Sequence, residues 1–175
     1  MDVFDKIALD LSDGAKKNFE KHGYVQPVAF LIIDYQLSPL PRNLSDMMIY
    51  DKEKFNTVVR ELVKKHNPMA VAVICEAYYL DLHKGDKFER PSESKDRKEC
   101  VFVTVDSMDK QISWHAEIKD KKLGEWIKHP VYLKKGGEVE ASGNMIDFYG
   151  TGTSLNLPIE MHDIPKGEDK VSKIN

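Results

Sequence analysis

The sequence predicts a single α+β domain, with a mainly antiparallel sheet of about five strands and two helices packed on one face. Residues 69–75 are apolar throughout and contain several β-branched side chains, which is typical of a central strand buried on both faces. Two further strand-like stretches, 99–106 and 111–118, are close enough in sequence to form a hairpin. Two amphipathic stretches, 2–22 and 51–66, have apolar positions at helical spacing.

Before the central strand, the chain alternates helix and strand. The first helix is followed by Gly23, where a C-cap belongs, and then by a predicted strand at Pro27–Tyr35. We interpret Gln36–Asn43 as turn and loop because its two prolines cannot continue a ladder, and predict a short strand at Met47–Tyr50. Asp51 is the predicted N-cap of the second helix.

After the central strand, the charged residues 83–97 predict a solvated loop. Toward the C-terminus the predicted elements are a helical turn and two short strands: 124–127, 131–133 and 144–149. Apolar periodicity is then lost. We therefore expect residues 1–149 to form the domain and residues 150–175 to be a poorly ordered or surface-draped tail.

Composition restricts the class of partner. Lys and Arg number 26 against 29 Asp and Glu, a net charge of −3, which does not build the basic field of a nucleic-acid binder. The longest apolar runs, 28–33 and 70–75, are far short of the roughly 20 residues that span a membrane. The N-terminus carries acid where a signal peptide carries base, so we expect a cytoplasmic protein.

Metal and cofactor sites are not indicated. The two cysteines, Cys75 and Cys100, are too far apart for a metal or redox motif, and we expect reduced thiols. The six histidines form no i, i+4 pair and no His-Glu motif. The sequence therefore predicts no metal and no cofactor.

Strand alternation locates a candidate binding face. One parity gathers an apolar inner surface from the odd-numbered residues of 71–79, the odd-numbered residues of 101–105 and the even-numbered residues of 112–118. The opposite face then carries the candidate site residues: Glu76, Tyr78, Phe102, Thr104, Ser113 and His115. In register, these form two rows, Glu76 with Thr104 and Ser113, and Tyr78 with Phe102 and His115. A carboxylate and an imidazole among aromatic and polar groups are typical of a small binding site.

Two other interpretations of this face stay open. Antiparallel sheets often have one solvated or partner-covered side of this composition. Glu76 follows a buried run and needs a cation or hydrogen-bond donors, for which Arg90 and Arg97 are candidates. We favour a structural ion pair over a catalytic acid. Acidic residues of the same loop are also candidates for a divalent cation, although a charged loop is usually just solvated.

The middle third of the chain carries three short motifs: Glu76-Ala-Tyr-Tyr, Arg90-Pro-Ser-Glu, and Asp96-Arg-Lys-Glu99 leading into a strand. Together they resemble functionally uncharacterised bacterial and phage-encoded proteins, in which a Glu-Ala-aromatic strand precedes a Pro-Ser-Glu loop and an Arg-x-Glu strand. Tyr78 stands where those proteins often have tryptophan. The resemblance implies a bacterial or phage setting, no known activity, and a grouping of Glu76 with Arg90, Glu93, Arg97 and Glu99. With Asp96 added from the same stretch, the candidate charge cluster comprises Arg90, Glu93, Asp96, Arg97 and Glu99.

Three functions fit these patterns. The first is a non-enzymatic binding or assembly module that uses the sheet face or an edge strand. Self-association as a homodimer is compatible with this function. The second is a hydrolase or nuclease assisted by a divalent cation on Glu76, Asp96, Glu99 and His115. The third is a small-ligand sensor that uses Tyr78, Phe102 and His115.

Overall fold

A computed structural model describes residues 1–81, 91–134 and 148–149, and the backbone of 159–161. It confirms the α+β class and the antiparallel sheet. The helices are α1 (Val3–His22), α2 (Arg42–Tyr50) and α3 (Lys52–His66), with a 3-10 turn at Pro91–Glu93. The strands are β1 (Val28–Ile33), β2 (Gln36–Pro39), β3 (Ala70–Tyr79), β4 (Lys98–Ser107), β5 (Lys110–Lys119), β6 (Lys122–Lys128), β7 (Tyr132–Leu133) and β8 (Ile159–Met161).

The sheet has the order β2-β1-β3-β4-β5-β6, and all neighbouring strands are antiparallel. The short β7 pairs with β5, and β8 pairs with β3 beyond the point where β1 ends its own pairing. The described sheet therefore has more strands than the predicted five. β8 lies within the predicted C-terminal tail, whose other residues lie outside the described part of the chain.

The two predicted helices lie on opposite faces of the sheet. Helix α1 packs through Ala8, Leu11 and Phe19 on one face, and α3 packs through Phe55 and Val59 on the other, where α2 joins it. The expectation that both predicted helices cover a single face is wrong. The physical reason is β3 itself, whose first six residues are all buried, because an apolar strand of this kind needs cover on both sides.

Three local predictions are corrected. Residues 36–39 form an edge strand, where Pro39 is tolerated, and Met47–Tyr50 belongs to α2. Residues 124–127 lie in β6, because a two-residue turn with positive φ at Asp120 and Lys121 folds the chain back on β5. Among the described residues, no helix is long and apolar enough to cross a membrane.

The predicted helix ends are confirmed. Gly23 has φ +77° and its N–H bonds to the Phe19 carbonyl, as a left-handed C-cap does. The Asp51 carboxylate accepts from the Lys54 N–H at 3.1 Å and caps α3. The predicted strand at 131–133 is present as β7, whereas most of 144–149 lies outside the described residues.

Candidate functional site

The structure divides the predicted binding face between the two sides of the sheet. In β4 and β5 the predicted parity is confirmed: Phe102 lies opposite His115 and Thr104 opposite Ser113. In β3 it is wrong, since Val73 lies opposite Thr104 and Cys75 opposite Phe102. Two of the candidate residues, Glu76 and Tyr78, pair instead with Val101 and Glu99 and lie on the α1 side.

The error has a definite cause. Residues 70–75 are apolar at both parities, so alternation within β3 cannot tell which set of side chains faces its neighbour's valines. The register is instead decided by the pairing of β3 with β4. Tyr79, not Tyr78, is the tyrosine that reaches the imidazole, with ring centroids of Tyr79 and His115 4.6 Å apart.

Four of the six predicted residues remain together on the α3 side, and three of them belong to a buried polar stripe. This stripe consists of Thr104, Asp106, Gln111, Ser113 and His115, and Phe102 packs beside it. The hydroxyls of Thr104 and Ser113 share a hydrogen bond at 3.1 Å, and Thr104 also donates to the Ile112 carbonyl. Such mutual satisfaction allows polar groups to be buried in a sheet face.

A histidine pair lies at one end of the polar stripe. His115 Nδ1 and His129 Nε2 are 2.7 Å apart, and His115 is only 6% exposed. Burial lowers the pKa of His115, and burial together with the neighbouring His115 lowers the pKa of His129 to about 4. Both rings are therefore neutral at physiological pH, so one ring donates its N–H to the other across this contact.

A buried ion pair lies at the opposite end of the polar stripe. Asp106 is fully buried, and its carboxylate contacts Lys134 Nζ at 2.6 Å. The same carboxylate accepts from the Phe148 N–H at 3.0 Å and from the Gln111 amide at 3.3 Å. This buried ion pair links β4 to the segment after β7, and we interpret its role as structural.

Glu76 has a structural partner. Its Oε1 accepts from the Val25 N–H at 3.0 Å, which ties β3 to the connection between α1 and β1. Glu76 and Glu99 line one cavity of about 260 Å³ near the end of α1, together with Asp120 and Lys121. The predicted proximity of Glu76 and Glu99 is therefore present, on the side of the sheet opposite His115.

The other described members of the predicted charge cluster are exposed. Arg97 stacks on the Tyr78 ring at 4.4 Å and donates to the Ser92 carbonyl at 2.7 Å, while Asp96 bonds through its N–H to Ser94. Glu93 is also exposed, and Arg90 lies outside the described residues. Within the described residues, no group of three or more His, Cys, Asp or Glu side chains is placed to hold a metal ion.

The cysteines pack as small apolar side chains. Cys75 and Cys100 are both free and buried. Burial is the main cause that raises the pKa of Cys75 to about 12 and the pKa of Cys100 well above its usual value. Neither thiol is a thiolate at physiological pH, so neither acts as a nucleophile.

A cleft that the sequence did not indicate lies beside α1, and we call it the α1 groove. Its larger part, about 420 Å³, lies between the second half of α1, the start of β1 and the N-terminus of α2. A smaller part of about 190 Å³ extends toward the middle of α1. Both parts share four lining residues: Asn18, Gln26, Val28 and Phe30.

The α1 groove exists because α1 does not cover the whole sheet. The apolar side chains that α1 buries belong mostly to β3, β4 and β5, so Val28 and Phe30 of β1 form an incompletely covered floor. The facing side of α1 presents every fourth residue: Asp10, Gly14, Asn18 and His22. These span about 18 Å at 1.5 Å per residue. The helical spacing of these four residues is visible in the sequence, but the sequence does not show which strand lies beside them.

One end of the α1 groove is positively charged. Arg42 begins α2 and is half-exposed, and no side chain caps the N-terminus of that helix. The Gln26 side-chain oxygen, in the amide orientation that suits both groups, accepts from Arg42 Nε at 2.8 Å. Asp46 is 3.9 Å from the same nitrogen. Arg42 is thus held at the mouth of the larger cavity.

No protein-family model, curated protein or solved structure matches this chain.

Proposed function

We propose that this protein is a non-enzymatic binding module and that its ligand site is the α1 groove. The observation that carries the proposal is a cavity of about 420 Å³ with an apolar floor and polar walls. Small-molecule sites are typically clefts of about 300–1,000 Å³ lined in this way.

The chemistry of the lining supports binding. Val28, Phe30 and Leu40 supply apolar surface, and the polar groups around them differ in kind: amides on Asn18 and Gln26, and a guanidinium, an imidazole and a phenol elsewhere. A few directional groups around an apolar floor fix the orientation of a ligand while its apolar part is removed from water.

Association through the edge strand β2 is less well supported. The Leu40 N–H bonds to the Ala29 carbonyl, so alternation directs the backbone of Ser38 toward β1 and that of Leu37 and Pro39 outward. Proline has no N–H, which leaves the outer edge of β2 poor in donors. This composition is typical of an edge protected against strand addition. A dimer formed by another surface remains a separate prediction.

The metal-assisted hydrolase is not our choice, because its residues are divided. Glu76 and Glu99 lie on the α1 side of the sheet, whereas His115 lies on the α3 side beneath Tyr79. The surface predicted for a sensor is divided in the same way, because Tyr78 lies on the side of the sheet opposite Phe102 and His115. We keep the small ligand of that hypothesis and assign it to the α1 groove.

The test is an unbiased small-molecule screen by two-dimensional amide NMR on the wild-type protein and on Gly14→Leu. The space around a Cβ at Gly14 is open, and Gly14 lines the smaller part of the groove, so we expect a leucine there to fill part of that space. Ligands of the groove should perturb Asn18, Val28 and Phe30, and should bind Gly14→Leu more weakly.

Lys16→Leu is the matched control. Lys16 is an exposed residue of α1 two positions later, which places it about 200° around the helix from Gly14. It should leave groove binding unchanged. A screen whose ligands all bind elsewhere, or bind both leucine variants equally, would exclude the α1 groove as the site.

A further inference from the structure

We infer that the α1 groove takes an amphipathic monoanion, with a carboxylate at Arg42 and an apolar body on Val28 and Phe30. This inference rests on the proposed function and assigns its ligand class. It depends on three features of the groove, namely its charge, its shape and the placement of the cation.

The charge of the larger cavity is positive. Arg42 is its one lining residue with a formal charge, and among the described residues no carboxylate lines this part. The N-terminus of α2 adds the positive end of a helix dipole at the same position. Asp46 offsets the guanidinium in part, at 3.9 Å from Nε, and the Gln26 oxygen lies within hydrogen-bond distance of all three guanidinium nitrogens. A guanidinium has five N–H donors, more than these two acceptors use, so donors remain for an anion.

The shape of the groove separates the anion from the apolar body. Arg42 and Ser45 of α2 lie at one end, and the floor passes from Leu40 over Phe30 and Val28 into the smaller cavity, where Leu11 and Ile74 also line the wall. The apolar residues thus continue away from the cation. A ligand that has its charge at one end and hydrocarbon at the other satisfies both parts at once.

The ligand carries a single negative charge at one end. Asp10 lines the far part of the groove, so a second anion at the distal end of the ligand would face a carboxylate. Dicarboxylates are therefore disfavoured relative to monocarboxylates of equal length.

The experiment compares phenylbutyrate with phenylbutanol, which has nearly the same size and no charge. Dissociation constants are measured by NMR titration for wild type, Arg42→Gln and Arg60→Gln. Arg60 is an exposed arginine of α3, on the opposite side of the sheet, and is the matched control. Because charge-assisted hydrogen bonds are about twice as strong as neutral ones, wild type and Arg60→Gln should bind the carboxylate about tenfold more tightly than the alcohol.

In Arg42→Gln the two probes should bind equally. If the alcohol binds as tightly as the carboxylate in the wild type, and Arg42→Gln changes neither, the ligand class is wrong while the groove remains a binding site. If neither probe perturbs groove residues in the wild type, the assigned class is also overturned, and the library screen with Gly14→Leu decides separately whether the groove binds any ligand.

Discussion

Two glycines at α1 allow a direct test of the helix physics. Gly14 lies within α1, and Gly23 caps its end with φ +77°. A methyl group added at either position meets no atom within 4 Å, apart from its chain neighbours and, at Gly14, the adjacent backbone of the helix. Steric contact is therefore excluded at both sites, and only the backbone conformation distinguishes Gly14→Ala from Gly23→Ala.

The two substitutions should change the free energy of unfolding in opposite directions. Alanine within a helix is more favourable than glycine by about 0.5–1 kcal/mol, so Gly14→Ala should stabilise the protein by that amount. A side chain at a left-handed position costs about 1–2 kcal/mol, so Gly23→Ala should destabilise it. For a chain of this size, each 1 kcal/mol corresponds to a shift in Tm of about 2–4 °C.

Urea unfolding followed by circular dichroism measures both effects. The midpoint should move up for Gly14→Ala and down for Gly23→Ala, while the slope stays constant. A loss of stability in Gly14→Ala would show that the space beside Gly14 is not open, and would also remove the smaller part of the α1 groove. Equal behaviour of the two variants would refute the argument from backbone conformation.

Three further predictions concern the sheet. Because the pKa of His129 is lowered to about 4 in the folded protein, the unfolded chain binds its proton first as the pH falls. The stability that neutral His129 contributes should therefore be complete above about pH 6.5 and decrease toward pH 4 by up to about 1.4 kcal/mol per pH unit. The urea midpoint should depend less steeply on pH in His129→Phe than in the wild type. An unchanged pH dependence would contradict the burial of this ring. Asp106→Asn should cost about 3–5 kcal/mol, because it removes the carboxylate that pairs with the buried Lys134 charge. The double variant Asp106→Asn, Lys134→Met should be less destabilised, because it removes the buried charge and keeps an amide oxygen as acceptor for the Phe148 N–H. Equal losses in the two variants would contradict a stabilising role for the ion pair. Phe55→Ala removes a fully buried ring of the α3 side and should cost about 3–5 kcal/mol in the same assay, and a loss below 1 kcal/mol would mean that α3 is loosely packed.

The sequence by itself determined the elements with strong local signals. The stripes of α1 and α3, the caps at Gly23 and Asp51, and the hairpin of β4 and β5 all depend on residues close to one another in the chain. Local energetics decides such features. The pairing of Phe102 with His115 was predictable because β4 and β5 each have one clearly apolar set of alternating residues, and the short connection between the strands fixes their register.

Only the tertiary structure decided which residues share a face with β3. Both sets of alternating residues in the first part of β3 are apolar, so alternation does not indicate which set lies on which side of the sheet. The long-range pairing with β4 places Cys75 beside Phe102 and Tyr79 beside His115, where Glu76 and Tyr78 were predicted. The α1 groove is likewise a tertiary feature. It arises where a helix stops short of covering a sheet, and no pattern within either segment records the angle at which the two pack.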